Sequence, residues 1–119
     1  MFQGEPLSEP PQDLVEQLTG ILQCLAAYIM VMEKIFLTYE WELPTQKGKN
    51  FLANSMQQVF EQCNSLANQY PEYDLSLSNL TWEMMGANMK AFSWALGNDN
   101  KVTELLDSLN SALGYALLI

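Results

Sequence analysis

Few side chains in this sequence can do chemistry: fourteen carboxylates, five lysines and two cysteines, with no histidine and no arginine. Without histidine there is no imidazole general base and no favoured zinc or di-iron ligand. Without arginine there is no two-pronged clamp for phosphate or carboxylate. The chain carries no GxSxG, no P-loop, no HExxH, no CxxC and no Glu-x-x-His pair of the kind that holds two metals in a helical bundle. Its carboxylates lack a neighbour suited to shifting a pKa, and no EF-hand spacing is present. The expectation is a non-enzymatic protein with no cofactor and no metal site. Cys24 and Cys63 both sit in apolar surroundings, where a free cysteine acts as a small hydrophobe. Two cysteines make no disulfide framework, and a reduced intracellular pair fits better, although whether they join depends on a separation that sequence does not fix.

Charge narrows the partners. At a net −9, the chain repels nucleic acid and anionic lipid headgroups, so neither direct nucleic-acid binding nor membrane binding is expected. Glu5, Glu9, Asp13 and Glu16 form the tightest acidic cluster, and Glu33, Glu40 and Glu42 a second. Such charge steers encounters with a basic protein, or it only keeps the chain soluble, which is the commoner role of a charge run.

The elements that would position these groups are helical. From Leu14 to Tyr39, apolar residues stand at Leu14, Leu18, Ile21, Leu25, Tyr28, Met32, Ile35 and Tyr39, in steps of four and three. A second line, Val15, Leu22, Ile29 and Phe36, runs beside it at steps of seven, and together they mark one broad helix face. Pro44 ends this helix. A second helix follows, capped by Thr45 or Asn50, with the seam Leu52, Met56, Val59, Cys63, Leu66 and Tyr70. A third, with Ser78 as cap, carries the seam Trp82, Met85, Met89, Phe92 and Leu96 before a left-handed stop at Gly97. Asn98 or Asp99 would cap a fourth, with the seam Val102, Leu106, Leu109, Leu113 and Ala116. The pattern predicts an all-α fold, a mostly antiparallel four-helix bundle over about 12–40, 50–70, 79–96 and 100–117. Residues 1–10 read as a loosely docked leader and 11–119 as a single domain.

Two stretches stand out as interaction surfaces. The first helix, at about 42 Å, outruns the third and fourth at about 27 Å. Either it breaks near Gly20, or it projects with its stripe uncovered. The second outcome implies a homodimer through Met32, Ile35, Phe36 and Tyr39, with Glu40, Trp41 and Glu42 of the following loop. On the third helix a second line, Met84, Ala87, Ala91 and Trp94, lies off the chosen seam. It is either a binding patch or a second packed seam, with equal weight on each.

The run 20–32 is apolar but too short for a membrane span, and reads as core. No signal-peptide pattern stands at the start, so a cytoplasmic setting is expected and Asn79-Leu80-Thr81 is not read as a glycosylation site. In size, charge and helical content the chain resembles small acidic helical inhibitors of the bacteriocin-immunity and phage anti-defence (anti-CRISPR-like) kind. That resemblance implies binding to a basic, nucleic-acid-handling protein and carries no site residues across. The alternative is a structural or chaperone-like subunit docking through an apolar helix surface.

Overall fold

The computed structural model describes residues 10–38 and 45–119. Four α-helices are found among them: α1 (Gln12–Thr38), α2 (Gln46–Gln69), α3 (Asp74–Ala95) and α4 (Lys101–Leu117), with a 3-10 turn at Pro71–Tyr73 leading into α3. No strand occurs among the described residues. The all-α bundle expected from the spacing is the fold.

Cross-helix hydrogen bonds fix the directions. Tyr70 Oη donates to Asp13 at 2.8 Å, and Gln62 Nε2 reaches Gln17 Oε1 at 3.4 Å. Tyr28 and Ser55 join their hydroxyls further up, so α1 and α2 run antiparallel. Gln46 Nε2 donates to the Ala95 carbonyl at 2.7 Å, and Lys90 Nζ donates to Ser108 Oγ at 2.7 Å, which makes α2–α3 and α3–α4 antiparallel as well. Helix α3 packs closely on both α2 and α4, whereas α1 lies on α4 and meets α2 mainly through long side chains. The core is one cluster running the length of the bundle. It draws on Leu14, Leu18, Ile21, Leu25 and Met32 of α1, Met56 and Leu66 of α2, Leu77 and Leu80 of α3, and Leu105 and Leu109 of α4.

Local chemistry explains where the helices begin and end, and corrects several expectations. Thr45 caps α2, its hydroxyl accepting from the Gly48 N–H at 3.2 Å, so α2 starts four residues before Asn50. Helix α3 starts at Asp74 instead of residue 79: the 3-10 turn at Pro71 feeds straight into it, and Ser78, expected as its cap, lies inside with its hydroxyl on Asp74 Oδ1 at 3.0 Å. Gly97 takes φ +114°, and Asn98 N–H closes onto the Ser93 carbonyl while Gly97 N–H closes onto Trp94, a Schellman stop. Asn98 caps the end of α3 through Ser93, not the start of α4, whose Asn100 makes no side-chain cap.

Helix α1 is unbroken through Gly20, where nothing approaches within 4 Å. Its Leu14-to-Ile35 line is buried throughout, with Met32 and Ile35 in the core. The projecting stripe expected from its length is therefore absent from the described part, where that line belongs to the one core cluster. Tyr39, Glu40, Trp41 and Glu42 lie outside the described residues.

Candidate protein-binding surface

Helix α3 bears two apolar lines of equal regularity. One is Leu77, Leu80, Met84, Ala87, Ala91 and Trp94, in steps of three and four; the other is Leu75, Ser78, Trp82, Met85, Met89, Phe92 and Leu96, in steps of three and four as well. They are offset by two residues, about 200° around the helix, and so stand on opposite faces. Every member of the first line is fully buried. On the second, Leu75 is 78%, Trp82 69%, Met89 65% and Leu96 85% exposed.

This reverses the expected seam. Of the two readings given to Met84, Ala87, Ala91 and Trp94, the packed seam is the one found: they lie inside the protein and offer a partner nothing. Trp82, Met89 and Leu96, read as the inward seam, face water, with Met85 and Phe92 half-buried beside them. The reason is side-chain size. Helix α3 is squeezed between α2 and α4, and alanines at 87 and 91 let neighbouring backbones approach where Trp82, Met89 and Phe92 could not. The outward line carries no charged residue and is flanked by two shallow grooves. One, of about 220 Å³, lies toward α2 at Phe60, Ala67, Trp82 and Met85; the other, of about 300 Å³, lies toward α4 at Gly86, Met89, Ser93 and Lys101.

Trp94 anchors the upper end of the core. Lys49 of α2 stands 5.4 Å from the centre of its ring and pairs with Asp99 at 3.7 Å, tying the α3–α4 turn to the start of α2. The Trp94 indole N–H and Asn88 Oδ1 are buried without a hydrogen-bond partner.

Charge is divided along the bundle. All five lysines stand in the half holding the end of α1, the start of α2, the end of α3 and the start of α4: Lys34, Lys47, Lys49, Lys90 and Lys101. The opposite end carries Asp13, Glu16, Glu72 and Asp74, all exposed, and no lysine.

Phe36 is partly exposed on α1, alongside Met30, Val31 and Leu37 on its outer side. By length and composition α1 is apolar enough to cross a membrane, but its inner line belongs to the bundle core. Both cysteines are free; Cys24 is exposed on α1 and Cys63 buried in α2. Burial pushes the Cys63 thiol up to about 12 and also raises the Tyr28 phenol, which Ser55 opposes by hydrogen bonding. The Tyr70 phenol is raised first by its bond to the Asp13 carboxylate. These shifts hold groups in their neutral forms, the reverse of what activates a thiol or phenol. Among the described residues no three of Cys, Asp and Glu gather as metal ligands.

The fold and surface together define a small all-α bundle with one uncharged apolar helix face turned outward. Compared with protein-family models, curated proteins and solved structures, the chain has no significant match.

Proposed function

We propose that this protein acts by binding protein chains on the outer face of α3, as a structural or adaptor subunit without chemistry of its own. The observation that carries this reading is the set Leu75, Trp82, Met89 and Leu96, four large apolar side chains at steps of seven, each at least 65% exposed. Single exposed apolar residues need no explanation, but a continuous patch of them marks an association surface. Aromatic and methionine side chains without charge are what interface centres use. Covering the patch releases about 25 cal/mol per Å² of apolar area. The test is affinity capture from native extract with the wild type beside Trp82→Glu, after circular dichroism and thermal melting confirm that the variant is folded. The reading predicts that the bound species is lost with Trp82→Glu. An unchanged set of bound proteins would remove the α3 face from consideration.

The divided charge favours a second reading: an inhibitor, immunity or anti-defence protein whose acidic end, Asp13, Glu16, Glu72 and Asp74, meets a basic, nucleic-acid-handling protein. The two differ in thermodynamics. Docking on the α3 face gives a negative heat-capacity change with little salt dependence, whereas the acidic end gives affinity that falls as salt rises. One titration series against the captured partner separates them.

A further inference from the structure

The outer face of α3 reads nearly the same from both ends. Leucine stands at 75 and at 96, serine at 78 and at 93, Trp82 mirrors Met89, and Met85 with Gly86 lies at the centre. Three of the pairs summing to 171 are thus alike in polarity, while Phe92 is mirrored by Asn79. A face with that symmetry is complementary to itself when the second helix runs the other way, as a two-fold axis demands. Its three-and-four spacing is also the period at which helices pack along their length at a shallow angle.

We propose that two copies of this chain pair antiparallel through the outer faces of α3, about a two-fold axis at Met85–Gly86. The proposal rests on the reading that this face binds protein, and it names the occupant.

Charge chooses the direction. The lysine-bearing half, where Lys90 bonds Ser108 and Lys101 pairs with Glu104 at 3.4 Å beside the stripe, lies against the partner's Glu72 and the partner's Asp74, which have no lysine near them in their own chain, and the reverse contact repeats it. A parallel pair would set acidic end on acidic end, which opposes association. The grooves provide the fit. The partner's Trp82 falls level with Met89, beside the groove of about 300 Å³ between α3 and α4.

The test has two parts, both on the full chain with Cys24→Ser as background, leaving buried Cys63 as the one native thiol. Sedimentation equilibrium at micromolar concentration gives the mass of a dimer, and the double variant Trp82→Glu with Met89→Glu gives that of one chain with an unchanged helical spectrum. Single cysteines then read the direction under mild oxidation. Met85→Cys links to its own copy across the axis. Leu75→Cys does not link to itself, because the two copies of residue 75 stand about 31 Å apart in this arrangement; it does link when mixed with Leu96→Cys. Self-linking of Leu75→Cys overturns the antiparallel pair. A wild-type mass of one chain overturns the dimer and leaves the α3 face for a different protein. A dimer that persists in the double variant overturns both the pairing and the use of this face.

Discussion

Trp82 and Trp94 lie twelve residues apart on one helix, the first 69% exposed and the second fully buried. Each belongs to an apolar line with the same three-and-four spacing, so periodicity does not separate them. What separates them is company. Trp94 shares its line with Ala87 and Ala91, small enough to let α2 and α4 close in, and has Lys49 over its ring. Trp82 shares its line with Met85, Met89 and Phe92, which would hold two packed helices apart. In a helix gripped on two sides, the line with small residues goes inward and the bulky one is left for something outside the chain.

The sharpest way to break that contrast is to truncate each indole. Trp94→Ala removes a side chain with no exposure, and unfolding in denaturant should show a loss of about 3–5 kcal/mol, as for large aromatic truncations in cores. Trp82→Ala, at the same dilute protein concentration, should change stability by less than about 1 kcal/mol, since surface substitutions away from packed features change little. Comparable losses would mean that both faces are core and that the outward line is already covered.

The cysteines repeat the contrast on other helices. Cys24 is exposed on α1; Cys63 is buried in α2 with its thiol pushed up to about 12. A thiol reagent at pH 8 should modify one cysteine per native chain and two after denaturation, with mass spectrometry placing the native label on Cys24. A labelled Cys63 in the native protein would show that α2 opens from α3 far more readily than a packed seam allows. The same burial predicts an alkaline weakness. Because the folded-state values of Cys63 and Tyr28 are raised, their stabilising effect is complete below the unfolded-state values and disappears as pH climbs toward the folded ones. For Cys63 the window runs from 9.0 to about 12, at up to about 1.4 kcal/mol per pH unit. Cys63→Ala should flatten that part of the curve.

Much of the architecture was legible because it depends on local signals. The Leu14-to-Ile35 line, the Thr45 cap, the Gly97 stop and the seam of α2 each follow from spacing or from one residue's backbone preference. The candidate surface was legible only as a pair of alternatives. Both lines of α3 are visible in the sequence, but which one faces inward depends on how tightly α2 and α4 press on the helix, a tertiary fact. Choosing the larger side chains for the core puts Trp82 inside, the reverse of the fold, and leaves Trp94 undecided. Ala87 and Ala91 held the missing signal, since alanines at seam positions mark close approach. The start of α3 is harder to read: Ser78 looks like its cap, whereas the 3-10 turn at Pro71–Tyr73 passes straight into the helix at Asp74.

The smallest effect tests whether α3 is the only described helix with an unclaimed outer face. Gly20 sits mid-helix in α1, and a Cβ added there would meet nothing within 4 Å. In open space the substitution reduces only the freedom of the unfolded chain, so Gly20→Ala should stabilise the fold by about 0.5–1 kcal/mol. Thermal melting at two protein concentrations checks it. A gain independent of concentration leaves the outer side of α1 free and the association surface on α3. A loss that deepens at higher concentration would mean that a second chain lies against α1 at Gly20, close enough that a methyl group obstructs it. In that case the small residues of α1, and not the bulky line of α3, would be doing for assembly what Ala87 and Ala91 do for the core.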